Sequence, residues 1–218
     1  MTTHEVRLPL FDLGTHHPEM KRYRTLVADP PWRYSSRLSG LRGATDYPTM
    51  SIEELMCMPI GLWAEPEAHL YLWTTDAFMV DAHRIAHGWG FEVKNILTWV
   101  KGRAEIVEGG EIEAIDPRMG VGFYYRHATE YVLFAVRGAL PVHEHGQPNV
   151  FFAPRMGHSV KPDAFYDMVE RMSPGPYLDV FARKQRLGWK VFGNEAYNPD
   201  HLLDTLAPLE RQGLIGGG

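Results

Sequence analysis

Short apolar runs, separated by polar, glycine-rich or proline-rich stretches, recur along the 218 residues. Thr25-Leu26-Val27-Ala28 shows no polar alternation, as expected of a strand buried on both faces. Ala68 to Trp73, Phe91 to Val100, Glu130 to Val136, Val150 to Ala153, Tyr177 to Phe181 and Lys190 to Phe192 read as further strands. Ser51-Ile-Glu-Glu54 has the capping-box spacing, so a short helix begins there. Thr75 is placed to cap a helix running to about His87, with Gly88 and Gly90 to end it. A second helical pattern starts at Pro162 and runs to Met172, closed by Ser173-Pro174-Gly175-Pro176. Residues 33 to 46 and 102 to 122 carry no clear period and read as long loops. Strands alternating with helices predict an α/β fold: a mostly parallel sheet with helices on both faces.

No internal repeat interrupts this pattern. Residues 1–23 read as a polar lead-in, 24–197 as one globular domain and 198–218 as a tail ending in Gly216-Gly217-Gly218. A hydrophobic content of 44% is enough for a sizeable core. No apolar run is long enough for a membrane span and no basic-then-apolar leader is present, so no membrane association is expected. The single cysteine, Cys57, excludes an internal disulfide and fits a reducing cytoplasm. The formal charge of −5 argues against a protein that grips nucleic acid chiefly by neutralising phosphates. Basic groups do cluster at Arg33, Arg37 and Arg42 and at Arg183, Lys184 and Arg186.

The chemistry concentrates where the first strand ends, at Asp29-Pro30-Pro31-Trp32. In open α/β folds, ligands bind at the carboxyl ends of the strands. An aromatic amino group such as adenine N6 is a poor nucleophile, because its lone pair is delocalised into the ring. Acceptors aimed at both of its hydrogens favour the form that can attack. Asp29 offers carboxylate oxygens and the Pro30 carbonyl a second acceptor, while Pro30 and Pro31 stiffen the turn and bring no competing N–H. Trp32 supplies a flat face, and stacking a base on such a face is worth roughly 1–3 kcal/mol. The alternative is a Pro-Pro turn with a capping Asp and a core Trp.

A methyl donor has to be held opposite that amine. Asp179, near a strand end, can hydrogen-bond ribose hydroxyls or cap the next helix. Lys161 and Arg183 can hold a carboxylate by charge-assisted bonds or stand as surface cations. Asn194-Glu195 follows a strand through Gly193, a turn that can present both side chains to a ligand.

In this order the motifs resemble the "seventy-kilodalton methyltransferase-A" family of adenine N6-methyltransferases, over about residues 24 to 197. They are Asp29-Pro-Pro-Trp32, Tyr47-Pro-Thr-Met50, Leu70-Tyr-Leu-Trp73, His158-Ser-Val-Lys-Pro-Asp163, the Tyr177 to Arg183 strand and Gly193-Asn-Glu195. The resemblance implies a Rossmann-like fold with the permuted, β-class motif order, S-adenosylmethionine as cofactor and nucleic acid as partner. It favours DNA over RNA, with a protein partner or homo-oligomer possible. It further implies that Asp29, Pro30, Pro31 and Trp32 are catalytic. Tyr47, Arg126 and Glu130 would serve the acceptor, and Lys161, Asp179, Phe181, Arg183, Gln185, Asn194 and Glu195 the donor. Ala182 stands where relatives often have Gly. Glu105, Glu108, Glu111, Glu113 and Asp116 make an acidic stretch that would repel phosphates.

Two other readings compete. A non-catalytic scaffold subunit would typically have lost Asp29. Transfer to cytosine N4 or a protein amide goes with a tetrapeptide beginning in Ser or Asn. No metal is expected: neither His83 with His87 nor His143-Glu144-His145 finds a converging third ligand in the pattern.

Overall fold

The computed structural model describes residues 21–34, 49–106, 112–117, 124–155 and 160–192. The strands are β1 Tyr23–Ala28, β2 Ala64–Thr74, β3 Glu92–Ile106, β4 Ile112–Pro117, β5 Thr129–Arg137, β6 Val150–Ala153, β7 Tyr177–Val180 and β8 Trp189–Phe192. Four helices intervene, α1 Ile52–Met56, α2 Ile60–Trp63, α3 Met79–Gly88 and α4 Asp163–Met172. All the strands join one sheet of order β4-β3-β5-β2-β1-β7-β8, with β6 paired to β3. The pairings of β1 with β2 and β7, β7 with β8 and β3 with β6 are parallel. Those of β5 with β2 and β3, and of β4 with β3, are antiparallel. Six described strands therefore point one way, and β4 and β5 run against them.

Successive residues of the central strands serve opposite faces, as the two-residue period of a strand requires. Leu26, Ala28, Leu70 and Leu72 pack with Leu55 of α1, Ile60 of α2 and Ala82, Ile85 and Ala86 of α3. Val27, Tyr71 and Trp73 pack on the other face with Phe165, Met168 and Val169 of α4. Both faces are covered, which is why the central strands read as unbroken apolar runs.

From β1 the chain crosses to β2 on one side, while β7 leads to β8 on the other. The carboxyl ends of β1 and β7 thus flank the point where strand order reverses, where open α/β sheets form a ligand crevice.

Several sequence expectations need correction. The segment read as one loop over 102 to 122 contains the end of β3 and the whole of β4, a hairpin pairing Gly102 with Pro117 and Glu105 with Ala114. Ile112-Glu113-Ala114-Ile115-Asp116 shows no clean alternation, and flanking glycines and acids make it read as a loop. The Thr75 side chain makes no capping bond. A 3₁₀ turn at Asp76–Phe78 comes first, and α3 starts at Met79. α2 went unread. The capping box at Ser51 and Glu54 forms with both of its hydrogen bonds. Among the described residues, no helix is long and apolar enough to cross a membrane.

Candidate active site

Asp29 is the first residue beyond β1. Its N–H donates to the Val180 carbonyl (3.3 Å), carrying the contact with β7 one residue past the ladder. The next residues double back tightly: the Trp32 N–H donates to the Pro30 carbonyl at 2.9 Å, closing a three-residue turn. The Met50 N–H then donates to the Pro31 carbonyl (2.9 Å). Arg33 adds bonds to the Thr49 carbonyl (2.8 Å) and to Glu54 (3.0 Å). Two prolines without N–H groups, three backbone bonds and the two bonds of the neighbouring Arg33 leave the tetrapeptide little freedom.

Four partly buried charges, Asp29 among them, alternate in sign here. The Lys101 ammonium lies 2.6 Å from Glu130 Oε1. The Lys161 ammonium lies 2.8 Å from Glu130 Oε2 and 3.1 Å from Asp29 Oδ1. Lys161 also sits over the Trp73 ring, 4.6 Å from its centre. Strand register explains the convergence. Glu130, the second residue of β5, lies opposite Trp99, and β3 carries Lys101 past that point, level with the carboxyl ends of β1 and β2.

Burial pushes the Asp29 carboxyl above its ordinary value; Lys161 pulls it back only in part, and Glu130 adds to the rise. For Glu130 burial acts in the same sense, but Lys161 and Lys101 together bring it below the usual carboxylate value. Burial would lower Lys161, yet Asp29 and Glu130 outweigh it and hold the ammonium charged.

Across the crevice, Asp179 is buried at the end of β7 and accepts a hydrogen bond from the Tyr166 hydroxyl (2.8 Å). Burial, with Asp29 adding to it, pushes the Asp179 carboxyl up to about 7 against the opposing Tyr166 bond. The Arg186 guanidinium covers the Tyr166 ring at 4.2 Å and is paired with Asp163 at the start of α4. Phe181 is not the last residue of the strand, as the sequence suggested. β7 ends at Val180, and Phe181 turns through φ 66°, a left-handed conformation rare for a bulky residue. Strain of this kind clusters at functional sites.

Of the residues singled out in the sequence, Asp29, Glu130 and Lys161 come into direct contact. Arg183 acts on the Asp29 charge. Lys161, assigned beforehand to the donor, touches Asp29 and Glu130. Trp32 is buried with one ring face stacked on Phe78, centroids 4.9 Å apart, and its Nε1–H has no partner among the described residues. Arg126 and Gln185 are exposed. Tyr47, Asn194 and Glu195 lie outside the described residues. Sequence reasoning missed Lys101 and Tyr166, and named Trp73 only within the Leu70 to Trp73 motif. The position of Lys101, two residues beyond Trp99 on one strand face, was the one signal available. No group of metal-ligating side chains occurs among the described residues.

Comparison with known proteins fits this geometry. The MT-A70 family model matches residues 23–195. The chain belongs to the MT-A70 family. Among the similar proteins is the type II methyltransferase M.MunI of a Mycoplasma species, 27% identical over 207 residues, covering 84% of this chain and 81% of that protein. The human N(6)-adenosine-methyltransferase catalytic subunit METTL3 is 27% identical over 187 residues, covering 84% of this chain. A putative N(6)-adenosine-methyltransferase MT-A70-like protein of Medicago truncatula is 26% identical over 177 residues, covering 80% of it. The chain spans 30% of the human protein's length and 26% of the plant one's.

MT-A70 methyltransferases use S-adenosylmethionine. The residues here fit that group. The Lys161 ammonium has three N–H donors and spends two on Asp29 and Glu130, leaving one for a carboxylate. Asp179 offers a buried carboxyl on the other flank of the crevice.

Proposed function

We propose that this MT-A70 protein transfers the methyl group of S-adenosylmethionine to adenine N6 in DNA, with 24–197 as the catalytic domain. One observation supports the reading most: the Asp29 carboxylate, at the mouth of the β1/β7 crevice, is held on Oδ1 by a buried lysine.

When bound, the cofactor supplies an electrophilic methyl group on sulfur. The chain's part is to present the amine to it. With Lys161 on Oδ1, the second Asp29 oxygen is the acceptor for one amine hydrogen. The Pro30 carbonyl spends one lone pair on the Trp32 N–H and has a second for the other hydrogen. The amine proton departs during or after attack, so Asp29 serves by orientation more than by basicity. Alignment of this kind can lower a barrier by roughly 7–11 kcal/mol.

On the acceptor side we assign Tyr47, Arg126 and Glu130, with Pro31 and Trp32 shaping the turn. On the donor side we assign Lys161, Asp179, Phe181, Arg183, Gln185, Asn194 and Glu195. Lys161 faces both sides, since its third N–H is the one assigned to the donor's carboxylate. DNA is favoured because the chain covers most of the length of the type II methyltransferase and under a third of the adenosine methyltransferases. A base inside a duplex must first be flipped out, at a cost of a few kcal/mol. A protein partner or second copy would supply the basic surface that a charge of −5 does not. The cell compartment that fits one unpaired cysteine is the cytoplasm.

The test is Asp29→Asn, which keeps the shape and removes the charge. Turnover should fall by at least about a thousandfold, since orientation and charge are lost together. Calorimetry should show S-adenosylmethionine still bound. Retained turnover would sink the role of Asp29, and a wild-type protein that binds no donor would point to a scaffold subunit.

A further inference from the structure

Lys101 has no part in the chemistry assigned so far. We infer that it is a positioning residue of the methyl-transfer site, acting through Glu130 on the ammonium that holds Asp29. The inference rests on the reading of Asp29 given above.

Lys101 is fixed from three directions. Its N–H donates to the Ala128 carbonyl (2.8 Å), which ties β3 to the segment leading into Glu130. Its ammonium lies 5.4 Å from the centre of the Trp99 ring and 2.6 Å from Glu130 Oε1. The side chain is 12% exposed, the same as that of Lys161. Surface lysines gain little from an ion pair, whereas a buried ammonium persists only when paired and hydrogen-bonded.

The consequence is a matter of sharing. Glu130 faces Lys101 from β3, Lys161 from the segment before α4 and Asp29 from the end of β1. Asp29 in turn feels Arg183 from beyond β7. With both lysines present, two cations serve two carboxylates, and each Glu130 oxygen has its own ammonium. Without Lys101, Lys161 alone must satisfy Glu130 and Asp29. Glu130 then either draws that ammonium away from Asp29 or takes up a proton. Either outcome moves or recharges the group that fixes the orientation of Oδ1. Lys101 touches neither reactant, so its influence reaches both only through the Lys161 ammonium and should appear more in turnover than in donor affinity.

The experiment is a double-mutant cycle on the full chain with Lys101→Met and Glu130→Gln. It reads kcat, acceptor KM, donor affinity by calorimetry and the pH dependence of kcat. Lys101→Met should lower kcat roughly tenfold to a hundredfold, the scale of one hydrogen bond to a charged group. Donor affinity should fall by much less than kcat, and the acid limb of the pH profile should move to higher pH. Lys101→Arg should restore the limb and most of the rate. In the Glu130→Gln background, Lys101→Met should have no further effect. Should the Met variant fail to fold by circular dichroism, Lys101→Gln gives the same readouts. Additive losses, or a Lys101→Met variant with wild-type kcat and pH profile, would overturn the inference. The reading of Asp29 fails separately, if Asp29→Asn keeps its turnover.

Discussion

Asp179 shows at the scale of one residue how the site trades stability for a ligand-ready carboxyl. Its value is raised from 3.8 to about 7, first by burial and then by Asp29, so the folded state holds the proton more tightly than the unfolded one. The stability from that proton is complete below the unfolded value near 3.8 and is lost as pH rises through about 7. Asp179→Asn cannot ionise. Its melting temperature relative to wild type should therefore climb between about pH 4 and 7 and level off above, while S-adenosylmethionine binding weakens. A difference that stays flat with pH would contradict this account.

Much at this scale was legible beforehand, because Asp29, Glu130 and Lys161 are chemically conspicuous residues in a recognisable order. Tyr166 was not: a tyrosine on an amphipathic helix reads as core until the fold sets it against Asp179. Lys101 was hidden in the same way, since a lysine ending an apolar strand reads as a solvated terminus. Nothing in the sequence shows that Lys161 would contact Asp29 directly, for that depends on where β6 releases the chain.

Among the elements, β2 is held from the side by a buried polar chain. The Tyr71 hydroxyl donates to Ser173 Oγ (2.7 Å), which donates to His69 Nδ1 (2.8 Å), and His69 Nε2–H donates to the Leu140 carbonyl (2.9 Å). A carbonyl can only accept, so Nε2 carries the hydrogen, and in the neutral ring that burial favours Nδ1 is the acceptor. Burial lowers the value of the ring below the ordinary 6.5, which keeps it neutral above that pH. A lowered histidine contributes stability that is complete above 6.5 and is lost as pH falls through its folded value. His69→Gln should flatten the decline in melting temperature below pH 6.5; an unchanged slope would show that His69 is not the group. Asp179 acts in the opposite sense over part of this range, so each effect is read between wild type and its own variant.

Elements were legible where local chemistry agrees with the fold. The capping box at Ser51 stands because both of its bonds are local, and Pro162 precedes α4 because its extended backbone suits a helix start. The β3/β4 hairpin escaped because its glycines and acids resemble a loop, and strand pairing is a long-range gain that no short window displays. Phe181 escaped for a related reason. Its φ of 66° is imposed from outside the segment, by its own N–H and that of Ala182 converging on the Phe192 carbonyl.

For the molecule as a whole, the sheet order gathers two carboxylates and two lysines at the carboxyl end of its central strands, where we propose that methyl transfer takes place. The doubly covered sheet followed from the apolar runs, whereas the antiparallel β5 did not, because a strand's direction leaves no mark on its composition. Yet β5 is what delivers Glu130 and, through it, Lys161. The charge of −5 bears on how a polymer reaches the site and not on the chemistry within it.

The central claim, transfer to adenine N6 at Asp29, is tested most directly by nucleoside mass spectrometry. DNA and RNA are each incubated with methyl-labelled S-adenosylmethionine and either the wild-type protein or Asp29→Asn. The account predicts label in N6-methyladenine from DNA with the wild type, and none with a variant that still binds the donor. Label in RNA alone would correct the polymer and leave the chemistry standing. Label in another base, or label persisting with Asp29→Asn, would contradict the account.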